Sequence, residues 1–376
     1  MKNLLALLIL CSSISQLTAQ KMSSIPLAKL ETFHSDIVGE DYKLHITIPF
    51  GHNPNSEKKL PVFYYLDAFS TSATVNEVAL THMWHKYIDP VILVGISYDT
   101  NPFAIGKLRK RDYMHPLSDQ DKDKRGDNFL QFIKTELVPY MEKKYAADPN
   151  DRGLMGASIG GLFCTYALKK EPQLFNRFSI VSPSLWYGDE YLFKDKELLN
   201  NIKNANGLKV FIAVGALESD NMISNANKLF DLVQTNKNIE SKKVIFDEEN
   251  HGTVLHPASA RGIRYLYKNK YNELIETGMD YYHKKDFKTA LEKFNSAFDS
   301  SPSSVREGDR YNMACLYALT GDSESAFQYL KILVEAKYDN HKHIKQDSDF
   351  DSLHQDKRWD KVLSAVKENE ELAAKK

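Results

Sequence analysis

The segment Gly156-Ala157-Ser158-Ile159-Gly160-Gly161 carries the strongest structural signal in this chain. The short strand-like segment 152–155 precedes it, and residues 162–168 continue it with the pattern of a helix. A serine on such a strand–turn–helix corner has a strained backbone, and its hydroxyl stands above the edge of a sheet. Glycine is expected at 156 and 160, because so tight a turn leaves no room for Cβ atoms there.

Strand-like runs alternate with helical or loop segments on both sides of this corner. The runs are Asp41–Pro49, Leu60–Leu66, Pro90–Ile96, Phe178–Val181, Lys209–Val214 and Lys242–Phe246. Continuous apolar runs are typical of strands buried on both faces. Between Asn128 and Tyr145, apolar residues recur every three or four positions, as in an amphipathic helix. The pattern predicts an α/β domain over residues 25–268, with a mostly parallel sheet flanked by helices.

From Tyr271 onward the chain reads as helical and repetitive. Three small or aromatic positions recur 36 residues later: Gly278, Tyr281 and Ala290 as Ala314, Tyr317 and Ala326. The spacing resembles that of tetratricopeptide repeats and predicts a small all-α repeat domain over residues 271–376. Because two repeats are too few to be stable alone, we expect them to pack on the α/β domain, on the apolar residues that follow them, or on a protein partner.

Composition and the amino terminus narrow the functional classes. The 49 basic and 50 acidic side chains nearly cancel and form no basic stripe with aromatic residues, so we expect no nucleic-acid partner.

Residues 1–19 have the charged start, short apolar run and small residues of a signal peptide, with cleavage after Ala19. No segment is long and apolar enough to span a bilayer, so we expect a periplasmic or secreted protein. Lipidation at Cys11 is disfavoured, because Leu10 stands where a small residue is needed.

The two remaining cysteines, Cys164 and Cys315, fall in different predicted domains and inside helical apolar patterns. We therefore expect both to be unpaired and buried. No cluster of cysteine and histidine has zinc-site spacing, so we expect neither a metal nor another cofactor.

The glycine-rich corner has two interpretations, a structural turn or a catalytic serine. A serine hydroxyl is a weak nucleophile and needs a base. His251 lies downstream of Ser158 and just after the last predicted strand, at the sheet edge where open α/β sheets carry their sites. His256 is the alternative base, because it also follows that strand. A third group should hold the imidazole. Glu218 and Asp220 both follow the strand that ends at Val214, and spacing does not separate them.

An acyl-transfer site also needs two backbone N–H groups as an oxyanion hole. Ile159, directly after the serine, is expected to supply one. The loop after Leu66 is expected to supply the other, from Ala68.

Seven blocks, in order along residues 25–268, resemble the esterase D and enterochelin-esterase-like branch of the α/β-hydrolase superfamily. The blocks are Tyr64–Ala68, Arg109–Tyr113, Glu136–Tyr145, Gly156–Leu162, Ser182–Trp186, Gly215–Glu218 and Glu249–Gly252. The resemblance implies a serine carboxylic-ester hydrolase, and it implies Glu218 rather than Asp220 as the acid. The family often has glycine at the position of Ala68, but only the backbone donor is needed there.

The resemblance also implies classes of substrate: siderophore esters, or the aryl and acetyl esters of plant polysaccharides. Arg109 and Arg111 would then bind a catecholate or ferric complex, or they would instead form ion pairs with Asp112 or other acids. Trp186 would contact an aryl or sugar group, or would be a core residue of a lid. The alternative function is a scaffold, in which the repeats bind a protein and the hydrolase domain is inactive.

Overall fold

The computed structural model describes residues 28–118 and 121–374. The predicted signal peptide and Cys11 lie outside the described residues. Among the helices that are described, none has both the length and the apolar character needed to cross a membrane.

The described residues form one sheet of eight strands. Their bounds are β1 Lys29–Ser35, β2 Glu40–Thr47, β3 Leu60–Tyr65, β4 Ile92–Tyr98, β5 Ala147–Ala157, β6 Arg177–Val181, β7 Lys209–Gly215 and β8 Glu240–Phe246. The spatial order is β1-β2-β4-β3-β5-β6-β7-β8. The pairs β1–β2 and β2–β4 are antiparallel, and the other neighbours are parallel. This mixed, mostly parallel sheet agrees with the predicted α/β-hydrolase-like fold.

Helices follow most of the strands and cover both faces of the sheet. Their bounds are α1 Ala68–Trp84, α2 Pro102–Tyr113, α3 Gly126–Phe132, α4 Val138–Tyr145, α5 Ile159–Lys170, α6 Tyr187–Lys194, α7 Lys196–Asn204, α8 Asp220–Gln234 and α9 Leu255–Tyr267. Along β3, Tyr64 packs into one core layer, whereas Phe63 and Tyr65 pack into the other. Burial on both faces explains why β3 and β4 read as continuous apolar runs.

Two local features differ from the sequence prediction. The strand β1 was not predicted, because it is an edge strand whose side chains are mostly exposed and therefore give no apolar run. The helix expected over 128–145 contains a π-helical turn at Ile133–Leu137, where the N–H of Val138 donates to the carbonyl of Ile133. Pro139 follows this turn. Because proline has no N–H and its ring crowds the carbonyl four residues earlier, it disturbs a regular α-helix there.

The carboxyl-terminal region is helical. Its bounds are α10 Lys270–His283, α11 Phe287–Ser300, α12 Glu307–Leu319, α13 Ser323–Glu335, α14 His341–Gln346 and α15 Lys357–Ala373, with short 3₁₀ turns at Pro302–Ser304 and Ser348–Leu353. Close approach of α10 and α11 depends on Gly278, where a Cβ would lie 2.6 Å from the Phe294 ring. The domain boundary, the assignment to tetratricopeptide repeats and a protein partner for this region stay predictions.

The helical region packs on the α/β region through both polar and aromatic contacts. The side-chain amide of Asn272 donates to the carbonyls of Lys86 and Tyr87, at 2.7 and 3.0 Å. The guanidinium groups of Arg264 and Arg306 both lie over the Tyr87 ring. Within the helical region, apolar residues beyond α13 join its core: Phe350, Leu353 and Trp359.

Both predicted free cysteines are confirmed as unpaired and buried. Cys164 lies on α5, directly behind the glycine-rich corner, and Cys315 lies on α12.

Candidate active site

The glycine-rich corner has the geometry that its sequence predicts. β5 ends at Ala157, α5 begins at Ile159, and Ser158 between them has φ 59° and ψ −121°. A non-glycine residue in this region is strained, and such strain persists only where the surroundings hold it. A hydrogen bond from the N–H of Ser158 to the carbonyl of Val181, 3.0 Å long, helps to stabilise this backbone conformation.

Close packing around this corner requires two glycines, only one of which was predicted. A Cβ on Gly156 would lie 2.3 Å from the carbonyl oxygen of Gly160. A Cβ on Gly160, however, would meet its nearest neighbour at 3.4 Å, an ordinary contact. The prediction that Gly160 is needed for lack of space is therefore wrong. Gly161 is the second tight position, because its Cβ would lie 3.0 Å from the Cα of Pro183 on the neighbouring turn.

His251 lies in the loop between β8 and α9, and its ring faces Ser158. The distance from its Nε2 to the Ser158 Oγ is 3.1 Å. The His251 side chain is 50% exposed, so the ring is open to solvent on one side. His256, the alternative base, lies in the first turn of α9, with its Nδ1 3.3 Å from the carbonyl of Thr253 in the preceding loop.

Glu218 lies in the turn after β7 and contacts the other side of the His251 ring. Its Oε2 is 2.7 Å from the His251 Nδ1, and its side chain is only 1% exposed. Its Oε1 accepts hydrogen bonds from the N–H of Gly215 and the hydroxyl of Ser182. Asp220, the alternative acid, is the first residue of α8, which Ser219 caps. The structure thus brings Glu218, His251 and Ser158 into one line of hydrogen bonds.

The charges of this pair are mutually stabilising. The hydrogen bond that His251 donates to Glu218 raises the pKa of His251 above its ordinary value of 6.5, although partial burial opposes this effect. Burial alone would raise the pKa of Glu218, but hydrogen bonds from His251, Ser182 and Gly215 outweigh it and lower that pKa. The carboxylate is therefore ionised at neutral pH, and it stabilises the imidazolium form of His251.

The two predicted oxyanion donors occupy equivalent places at helix starts. Ile159 is the first residue of α5, and Ala68 is the first residue of α1. The N–H groups of a helix's first turn have no acceptor within the helix. Asp67, just before Ala68, has φ 59°, so the chain turns sharply into α1 at this point.

Both arginines that were predicted to bind substrate or to form ion pairs, Arg109 and Arg111, form ion pairs in the structure. Arg109 makes a two-point contact with Asp67, at 2.7 and 2.8 Å. Arg111 contacts Asp112 at 2.6 and 3.0 Å and Glu40 at 2.6 Å. These contacts favour the ion-pair interpretation for both side chains over direct substrate binding.

A cavity of about 460 Å³ opens beside Ser158 and His251. Its other lining residues are Ser184, Trp186, Leu217, Glu218, Ser219, Met222 and Asn250. Trp186 is half-exposed, so its ring is a wall of the cavity rather than a buried core residue. Sequence reasoning missed Ser182 and Ser184, although both belong to the block Ser182–Trp186 that follows the strand beside β5.

Outside this cavity, the described residues include one group with metal-ligand spacing. The donor atoms of Cys315, Asp347 and Asp349 lie within 4.8 Å of one another in the helical region. The two carboxylates accept hydrogen bonds from Tyr311 and Tyr282, which gives them a structural role there.

Comparison with known proteins identifies the family of this chain. Residues 35–254 match the model of a family described as "Putative esterase". The chain belongs to this esterase family. It is thus a carboxylic ester hydrolase. The ferri-bacillibactin esterase BesA of Bacillus subtilis is 27% identical over 60% of this chain and 85% of its own length. The apo-salmochelin esterase of Escherichia coli is 25% identical over 56% of this chain and 69% of its own.

Solved structures share the fold of this esterase. The BES protein of Bacillus cereus has a TM-score of 0.60 and 27% identity, and the match covers 66% of this chain and 98% of that one. An IroE-like serine hydrolase of Shewanella oneidensis has a TM-score of 0.55 and 20% identity, covering 82% of this chain and 99% of that one. The 82% of this chain that the Shewanella oneidensis structure covers is longer than the predicted α/β domain of residues 25–268. The shared fold therefore extends into the helical region.

Proposed function

We propose that this esterase is an exported serine hydrolase in which Ser158 is the nucleophile, His251 the general base and Glu218 the acid that orients His251. The proposal is carried by one observation: Oγ, imidazole and carboxylate form a continuous line of contacts, at 3.1 and 2.7 Å. Export rests on the leader-like sequence of residues 1–19.

In the proposed reaction, the Nε2 of His251 takes the proton of Ser158 as its Oγ attacks the ester carbonyl. The N–H groups of Ile159 and Ala68 stabilise the negative charge that develops on the carbonyl oxygen. Glu218 stabilises the imidazolium, which then protonates the leaving alcohol as the ester C–O bond breaks. Water attacks the resulting acyl-enzyme with help from the same imidazole, releasing the carboxylic acid and restoring the Ser158 hydroxyl.

The walls of the cavity support a substrate with an aromatic or apolar part. Trp186, Leu217 and Met222 supply apolar surface, and the described residues that line the cavity include no lysine or arginine. The relatives named above are esterases of ferri-bacillibactin and apo-salmochelin. We therefore propose siderophore-type or aryl and acetyl esters as substrates, recognised mainly through contact with Trp186.

The direct test is Ser158→Ala. On a p-nitrophenyl ester we expect kcat to fall at least ~10³-fold, the scale of the loss when a triad member is removed. A fluorophosphonate probe should label the wild-type protein on the peptide that contains Ser158, and it should not label the variant. Ser296→Ala, on the exposed face of α11 and remote from the cavity, is the control and should keep both turnover and labelling. Undiminished turnover in Ser158→Ala would contradict the proposal. If turnover depends on Ser158, a screen of aryl, acetyl and trilactone esters would identify the substrate class.

A further inference from the structure

The turn after β6 contacts both ends of the proposed triad. The residues of this turn are Ser182, Pro183 and Ser184. The N–H of Ser184 donates to the carbonyl of Ser158 at 3.0 Å, and the two hydroxyl oxygens are 3.4 Å apart. At the other end, the hydroxyl of Ser182 lies 2.5 Å from the Oε1 of Glu218.

The backbone fixes Ser182 in place. Its N–H donates to the carbonyl of Ala213 on β7, at 2.7 Å, which extends the β6–β7 pairing by one residue. Its φ is 43°, in the left-handed region that non-glycine residues rarely occupy. The residue is 1% exposed, so its hydroxyl is shielded from water and points at the carboxylate. A buried serine with a strained backbone and a single charged partner indicates a defined role for its hydroxyl rather than mere packing.

We infer that Ser182 is a positioning residue that holds the Glu218 carboxylate in the orientation in which it supports His251. This inference rests on the proposed function. The Oε1 of Glu218 has two donors, the hydroxyl of Ser182 and the N–H of Gly215, which is 2.9 Å away. With Oε1 held by both, Oε2 is directed at the His251 Nδ1. With the hydroxyl removed, one donor remains and the broad terminal torsion of glutamate is less restricted.

A double-mutant cycle tests whether Ser182 acts through Glu218. Ser182→Ala keeps the Cβ and removes only the hydroxyl, so we expect kcat to fall about 10-fold with little change in KM, as for loss of a hydrogen bond to a charged group. In the Glu218→Ala background, Ser182→Ala should cost almost nothing, because the group on which it acts is gone.

The matched control is Ser179→Ala on β6, the strand that leads into this turn. Ser179 is buried, and its hydroxyl has no hydrogen-bond partner among the described residues. This variant therefore removes a buried serine hydroxyl from β6 without touching Glu218, and its kcat should equal that of the wild type. Thermal melting followed by circular dichroism gives the unfolding temperature of every variant, and all assays are run well below it.

The outcomes separate this inference from the proposed function. Suppose that Ser182→Ala lowers kcat equally in the wild type and in Glu218→Ala, while Ser158→Ala is inactive. That result would overturn the role of Ser182 but would still support Ser158 as the nucleophile. Wild-type kcat in Ser182→Ala would do the same. Wild-type kcat in Glu218→Ala would remove the acid from the proposed triad and the inference with it.

Discussion

Gly215 lies directly against the carbonyl oxygen of Glu249, so that a Cβ on Gly215 would approach this oxygen to 2.2 Å. The N–H of Leu217 donates to the same oxygen at 3.0 Å. Gly215 ends β7 just before the turn with Glu218, and Glu249 stands two residues before His251. Contact between these two backbones therefore sets the distance between the carboxylate and the imidazole.

Gly215→Ala should impair catalysis through this contact. The added methyl group must push the loop after β8 away from the turn after β7, and misplacement of a catalytic group by about 1 Å can cost about 10²-fold. We expect kcat on a p-nitrophenyl ester to fall at least about 10-fold. Gly106→Ala is the control, because a Cβ there meets nothing within 4 Å. Equal kcat values for the two variants would show that the contact does not set the geometry.

The pH dependence of kcat/KM should report the pKa of His251. Only neutral imidazole can accept the Ser158 proton, so activity should be lost as pH falls through the His251 pKa, which Glu218 holds above 6.5. In Glu218→Gln the charged partner is gone, and the midpoint of the acidic limb should move to lower pH while kcat also falls. His256→Ala should leave the midpoint unchanged. A midpoint that stays in place in Glu218→Gln would mean that Glu218 does not control the imidazole.

Arg109 should matter for stability, because it pairs with a carboxylate that has little access to water. The side chains of Arg109 and Asp67 are 24% and 8% exposed. Arg109→Leu leaves the Asp67 charge buried without its partner, and we expect the free energy of unfolding to drop by about 3 kcal/mol. Asp67→Asn in the same chain should recover much of that loss.

Urea unfolding measures this effect, and Arg358→Leu supplies a surface comparison. The Arg358 side chain is 39% exposed and pairs with Asp356 and Glu324, so its loss should lower the free energy of unfolding far less than the loss of Arg109 does. If the two arginine variants were equally stable, the Arg109–Asp67 pair would have no special role in the turn before Ala68.

Asn272 should couple the helical region to the sheet region. Asn272→Ala removes the hydrogen bonds to the carbonyls of Lys86 and Tyr87, which we expect to cost about 1–3 kcal/mol. Differential scanning calorimetry should then resolve a separate, earlier transition of the helical region. Asn204→Ala is the control, because among the described residues the Asn204 side-chain amide donates only to Asn200 of its own helix. A single transition at the wild-type temperature in Asn272→Ala would contradict this coupling.

Local pattern was enough to predict the elements that are buried on both sides. Apolar runs predicted β3 and β4, because their residues face helices on both faces of the sheet. The same reasoning failed for β1, which has an exposed edge and hence no apolar run. The local turn pattern likewise assigned Gly160 a role that belongs to Gly161, because the Pro183 backbone that lies against Gly161 comes from the turn after β6.

The sequence was sufficient to predict the corner at Ser158 and the order in which Ser158, a carboxylate and His251 follow the strands, because strand, turn and helix signals act between near neighbours. Spacing left Glu218 and Asp220 both open, and the resemblance alone favoured Glu218. Which carboxylate contacts His251 became clear from the folded chain, and so did the contacts of Ser182 with Glu218 and of Arg109 with Asp67. Those partners are 36 and 42 residues apart in the chain. Such contacts depend on which strands and loops lie side by side, and sequence periodicity carries no information about that.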